Sequence, residues 1–399
     1  MAPASPSTAR ALNDRLALRL LQSEGPLTAG QLKTLTGLSR PTVADLVERL
    51  QGSGLIHVVG EAGAARRGPN ARVYGIVAEQ AYLAGLDVRM DSVEVVVTDL
   101  LGTRLAEASA PVAAAADTET AAHEAVALVE RAAREAGVTR LHSIGIGAPG
   151  LIDPATGDLR DSSSLPAWHR RLVTVLQERL PAAIQVENET NLAALAEQRL
   201  GAARGFETFV MIWLSFGIGA AVVLDGKIRR GASGGAGELG FLPVPGTGGL
   251  PSKDSCDGGF NSLAWSPGAV RLAAEYGLSP APDDGELPGA ALIRTAVAAV
   301  AAGADGTPED AFLDAYADRV ALGAAAVAAV LDPGCVVLGG EIGRAGGAEL
   351  ARRVQDRLTR LSPLHTEVRA TELGGQAVLR GALLAAQQSA QDALFPTGT

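Results

Sequence analysis

What the chain is short of narrows its class before any motif is read. Cysteine occurs only at Cys256 and Cys335 in 399 residues, which builds no disulfide framework and fits a reducing compartment. The five histidines, 57, 123, 142, 169 and 365, are too scattered to suggest a metal site, since structural zinc needs about four converging ligands. No apolar run reaches the length of a membrane span, and the opening MAPASPSTAR lacks a signal-peptide core. The expected location is therefore the cytoplasm, with no membrane partner. A positive balance is missing too: the formal net charge of −10 argues against uniform affinity for nucleic acid.

What is present reads as a globular chain, 47% hydrophobic and 20% charged, long enough for two or three domains with their own cores. Its charge is uneven. Residues 10–80 hold nine Lys/Arg against six Asp/Glu, a net of +3, which leaves −13 for the remainder. A small positive head on an acidic body is the pattern expected if only the head approaches a polyanion.

Within the head, Leu12, Leu16 and Leu20 recur at helical spacing, and Gly25-Pro26 ends that helix. Thr28 and Gln31 form a capping-box signal for a short helix with Leu32 and Leu35 facing inward. After Gly37, Ser39 is an N-cap, Pro41 is tolerated in a first turn, and Val43, Leu46, Val47 and Leu50 make a buried stripe. Two helices, a Gly turn and a third helix form the order of a helix-turn-helix, whose last helix enters the major groove N-terminus first. The β-rich runs 55–59 and 72–77 flank a basic loop and read as a wing. Ser39, Arg40 and Thr42 are the expected base-edge residues, and Arg66 and Arg67 the expected phosphate or minor-groove contacts.

The body is organised around residues 214–244. An apolar strand runs into Gly217-Ile218-Gly219, a second strand follows, Asp225-Gly226 turns the chain, and clustered glycines lead to Glu238. That spacing suits a hairpin bringing bare backbone close to a ligand. Residues 81–102 repeat the strand, turn, strand layout, which suggests an internally duplicated α/β fold. Residues 184–202 run from strand into helix and place Asn188 and Glu189 at a strand's carboxyl end, where α/β ligand sites gather. Ala-rich helices are expected over 290–331, and a surface connection over roughly 280–310, where prolines cluster.

The order Gly217–Gly219, Asp225-Gly226-Lys227 and Ala236-Gly237-Glu238-Leu239-Gly240, with the head string TGLSRPTVADLVERL, resembles the ROK family of repressors and sugar kinases. The resemblance implies an α/β chain in which a winged helix-turn-helix, residues 1–78, precedes a two-lobed actin-like ATPase (sugar-kinase-like) body, residues 79–399. It also implies an effector site at Ser164, Asn188, Glu189 and Glu238, where Ser164 stands for an Asn and Glu189 for a catalytic Asp of the kinases. Several family features are absent. Asp87-Val88-Arg89-Met90-Asp91 replaces a small-residue phosphate loop, and Ser215-Phe216-Gly217 replaces a Gly-Thr-Gly. Phe241 stands where the family has a His, and Cys256 is alone in the segment of the zinc cysteines.

The expectation is a transcriptional regulator with no catalytic residue, cofactor or metal. Its partners would be an inverted-repeat operator in double-stranded DNA and a sugar or sugar-phosphate effector, and it would act as a homodimer or dimer of dimers. The alternatives are a sugar kinase with an accessory DNA-binding domain, and a regulator whose body is only a dimer scaffold.

Overall fold

The computed structural model describes residues 6–62, 71–113, 116–160, 166–252, 255–280, 285–303 and 306–395. The chain divides into two compact units, Met1–Ile146 with Ala167–Gln185 and Ala382–Thr399, and Gly147–Pro166 with Val186–Gly381.

The first unit opens with α1 (Pro6–Ser23), β1 (Leu27–Thr28), α2 (Ala29–Thr36), α3 (Arg40–Gly52), β2 (Ile56–Ala62) and β3 (Ala71–Ile76), the strands lying in the order β1-β3-β2. This is a winged helix-turn-helix. The capping box forms, with the Thr28 hydroxyl accepting from Gln31 N at 3.2 Å and Thr28 N donating to Gln31 Oε1 at 2.9 Å. Gly37 ends α2 at φ 71°, in the left-handed region where glycine is favoured, and its N–H bonds Lys33 O.

The buried stripe of α3 is the expected Val43, Leu46, Val47 and Leu50, but the inward faces of the other two helices differ. In α1, Leu12 and Leu16 are exposed, and Asp14, Ala17, Leu18 and Leu21 are buried. Both sets have helical spacing. The true one was hidden because it contains an Asp and an Ala, and the Asp is tolerated inside only because Arg49 of α3 reaches it. Leu35 is also exposed, so α2 anchors through Leu32. The head's core does not stop at residue 78: it is continuous with Leu83, Leu100, Ala386, Ala390 and Phe395.

The unit continues with β4 (Tyr82–Val88), β5 (Ser92–Asp99), β6 (Arg104–Pro111), α4 (Thr118–Glu135), β7 (Ser143–Ala148), α5 (Trp168–Arg179) and β8 (Ala183–Asn188). Their sheet has the order β6-β5-β4-β7-β8, with β4, β5 and β6 an antiparallel meander.

The second unit holds α6 (Glu189–Leu200), β9 (Phe209–Leu214), β10 (Ile218–Leu224), β11 (Lys227–Ile228), α7 (Asn261–Ala264), α8 (Ser266–Glu275), α9 (Pro288–Ala301), α10 (Pro308–Leu331), β12 (Cys335–Gly339), α11 (Gly340–Leu361) and β13 (Glu367–Ala370). The last helix, α12 (Ala377–Leu394), begins here and passes into the first unit. The second sheet, β11-β10-β9-β12-β13, repeats the order of the first strand for strand, so the duplicated hairpins expected from the sequence belong to duplicated sheets. Its core gathers Ile212, Leu214, Phe260, Phe312, Tyr316, Val336 and Leu338. Among the described residues of the expected connection over 280–310, most are helical: α9 buries Ala290, Ile293 and Ala296, because alanine and isoleucine at helical spacing outweigh the flanking prolines. Among the described residues no helix is long and apolar enough to cross a membrane.

Candidate functional site

In the head, Ser39 caps α3, its Oγ accepting from Thr42 N at 3.3 Å. The Ser39 and Thr42 hydroxyls also bond each other at 2.8 Å, so two of the three expected base-edge residues on this helix are engaged in its cap. Arg40 is exposed at the first turn, and Arg66 and Arg67 lie outside the described residues. Opposite the buried stripe, beside Pro41, stand Ala44, Asp45 and Glu48, all exposed, which sequence reading does not single out; a helical wheel about that stripe finds them. Arg49 donates to buried Asp14 from Nη2 at 2.7 Å and Nε at 3.3 Å, and also bonds Asp45. The hydrogen bond to Asp14 raises the Arg49 pKa against the opposing effect of burial.

The turn between β4 and β5 is filled from within. Arg89 forks onto the buried Asp87 carboxylate, Nη2 at 2.9 Å and Nε at 3.0 Å, and its carbonyl faces Nε2 of His169 at 3.0 Å. A carbonyl only accepts, so Nε2 is the protonated nitrogen. His169 is buried, its ring edge-on to Trp168, and Nδ1 has no partner among the described residues. Burial pushes its pKa down to about 4, against the favourable bond to Arg89.

The matching turn of the second unit has two of its N–H groups tied down. Ser215 N bonds Gly217 O at 3.2 Å, and Ile218 N donates to Asn261 Oδ1 at 2.9 Å. Phe216, 60% exposed, stands edge-on to Trp265 with 6.0 Å between ring centroids. A phosphate loop needs successive N–H groups free to turn outward, and these two are spent.

The polar cluster around the start of α6 is knitted from three segments. Asn188 caps the helix, its Oδ1 accepting from Thr190 N at 2.9 Å and Asn191 N at 3.3 Å, while Nδ2 donates to Gly150 O at 2.9 Å. Glu187, buried beside it, accepts from Asn191 Nδ2 at 2.9 Å and from Arg230 Nε at 2.6 Å. Arg230 opens the glycine segment that ends at Glu238. The glycines meet the protein's own backbone: a Cβ on Gly234 would lie 2.0 Å from Ile152 O, and one on Gly237, at φ 94°, 1.9 Å from Ala220 O. Gly217, in the β9–β10 turn, has no neighbour within 4 Å and leaves open space.

The loop around 150–152, the start of α6 and the segment 230–238 thus converge, bringing Asn188, half-buried Glu189 and Glu238 into one region. Glu238 touches solvent, yet the protein on its other sides strips enough hydration to push its carboxyl pKa up. Ser164 lies outside the described residues. Arg230 carries no local signal in the sequence, because its pairing with Glu187 depends on a contact 43 positions apart in the chain. Cys256 is half-buried with its thiol pushed up by desolvation, and among the described residues no group of three His, Cys, Asp or Glu is placed to hold a metal.

The chain matches the MarR family over residues 12–67 and the ROK family over residues 83–389. It is similar to the xylose repressor of Bacillus subtilis (strain 168), 27% identical over 58% of this chain and 60% of that protein. The match spans 59% to 63% of the length of xylose repressors and a glucokinase among the curated relatives, and 34% of a bifunctional NanE/NanK enzyme. Among solved structures, the ROK hexokinase from Thermus thermophilus is 30% identical with a TM-score of 0.63, covering 78% of this chain and 99% of that one. A ROK family transcriptional regulator described as a homolog of the E. coli MLC protein has a TM-score of 0.77 at 20% identity, over 98% of this chain and 99% of that one, which supports the fold with the head included. A match running through both sheets of like order, with 30% identity to the hexokinase over 78% of the chain, has one reading: the chain belongs to the ROK family.

Proposed function

We propose that the protein is a DNA-binding transcriptional regulator of the repressor type, with residues 1–78 as its DNA-binding domain and 79–399 as a catalytically silent body. The observation that carries this reading is the contrast between its two halves. The head presents a capped helix with an exposed face, while the hairpin turns that would receive nucleotide phosphates in a kinase are altered: the first is filled by Arg89 and His169, and the second has two of its N–H groups bonded within the protein. Each hydrogen bond to a charged group is worth about 1.5–3 kcal/mol, so losing several weakens nucleotide binding by orders of magnitude. That weighs against a kinase with an accessory head, even though the hexokinase is a relative.

In this reading Arg40, with Arg66 and Arg67 of the wing, engages an inverted-repeat operator, while Ser39 and Thr42 hold the helix end beside the bases. The body pairs two heads as a homodimer or dimer of dimers in the cytoplasm. It senses a sugar or sugar phosphate, as the name of the xylose repressor suggests, through Ser164, Glu189 and Glu238, with Asn188 shaping the site.

The first test is selection of bound fragments from the source genome by the full chain at low salt without sugar. An inverted repeat should emerge, and recovery of no sequence above background would falsify the DNA-binding assignment. A thermal-shift screen of sugars and sugar phosphates tests the sensor, because a ligand bound only by the native state raises stability. Glu189→Ala and Glu238→Ala should each weaken the hit by about 10-fold or more. Unchanged affinity in both would move the site elsewhere, and an empty screen would favour the body as a dimer scaffold.

A further inference from the structure

The face of α3 turned away from the core carries acceptors rather than cations. Pro41, Ala44, Asp45 and Glu48 stand on it, while Ser39 and Thr42 spend their hydroxyls on each other. Asp45 stands on that face one turn beyond Pro41 and is 61% exposed at its side chain.

It is also held in place. Arg49, one turn further along, bonds Asp45, and its guanidinium is fixed by two bonds to the buried carboxylate of Asp14 on α1. A side chain braced in this way loses little freedom on meeting a partner. The brace also places a cation beside Asp45, which softens the repulsion a lone carboxylate would meet near phosphates.

We propose that Asp45 is a specificity-determining residue of this helix, accepting a hydrogen bond from the exocyclic amino group of a cytosine in the major groove. The inference rests on the DNA-binding reading above and deepens it. A carboxylate can only accept. In the major groove cytosine offers the N4 amino donor; guanine offers the N7 and O6 acceptors, and thymine O4 and a methyl, so both repel it. Adenine has an N6 donor, but its N7 acceptor lies beside it and faces the second carboxylate oxygen. Arg49 acts through Asp45 as a positioning residue and touches no base.

The test is selection from a random duplex library with the full chain in three forms: wild type, Asp45→Asn and Asp45→Ala. Wild type should require cytosine at one position in each half-site, with any other base binding about 5- to 150-fold more weakly, the usual range for one good base contact. Asp45→Asn keeps the shape but adds a donor, and its preference should switch to adenine, which pairs N6 and N7 with an amide. Asp45→Ala should accept all four bases there. The bases selected elsewhere in the half-site should survive in all three forms, which separates a local change of reading from loss of fold. The same base preferences in all three proteins, or guanine, thymine or adenine at the wild-type position, would overturn the role of Asp45 while leaving DNA binding intact. If wild type selects nothing, the DNA-binding reading fails and this inference with it.

Discussion

Mild acid should destabilise the first unit through one imidazole. His169 is 2% exposed, its Nε2–H is committed to the Arg89 carbonyl, and its Nδ1 has no partner among the described residues, so a second proton would have to be carried by a buried ring with no acceptor there for it. Unfolded, the ring titrates at its ordinary 6.5; folded, at about 4. Between those values the unfolded chain binds the extra proton, so stability rises with pH through the window, is fully present above 6.5 and is lost as pH falls toward 4. The whole effect is about 3 kcal/mol, of which about 2 kcal/mol is gone by pH 5, before most carboxylates titrate. For a folding unit of this size that corresponds to about 4–8 °C in Tm. His169→Gln is the control, because its amide can still donate to the Arg89 carbonyl and does not titrate. Calorimetric scans from about pH 7.5 to 5 should show wild type losing those degrees relative to the variant. Parallel curves for the two proteins would refute the buried neutral ring.

Asn188→Ala removes a helix cap and the bond to Gly150 and should cost the second unit about 2 kcal/mol, about 4–8 °C by thermal unfolding; a variant as stable as wild type would leave Asn188 a ligand contact only. Gly237→Ala should cost more than the about 1–2 kcal/mol of its left-handed backbone, because its Cβ meets the Ala220 carbonyl; an unchanged denaturation midpoint would contradict that packing. Arg49→Met leaves Asp14 buried without its partner and should cost about 2–3 kcal/mol, less than a fully buried pair since Arg49 is partly exposed, and chemical unfolding reads it directly. ATP with magnesium and a panel of hexoses should give no phosphorylated sugar. Turnover near about 1 s⁻¹, the low end of ordinary enzymes, would mean the hairpin turns remain open to phosphate.

Features that depend on neighbours along the chain were legible in the sequence. The capping box at Thr28 and Gln31, the Gly37 turn, the Ser39 cap and the stripe of α3 are local patterns, and each formed as read. The duplicated hairpins were legible for the same reason: strand, turn and strand lie within about twenty residues of each other. Tertiary structure decided which of two equally spaced faces turns inward. Asp14 is inside α1, and Leu12 outside, because Arg49 arrives from another helix. It decided that the glycines before Glu238 serve close backbone packing, since Ile152 O and Ala220 O come from other parts of the chain. It also decided that the first hairpin turn is shut. Val88-Arg89-Met90 showed that small residues were missing, but His169, 80 positions away, is what takes the Arg89 carbonyl, and burial of that imidazole exists only once the chain has folded around it.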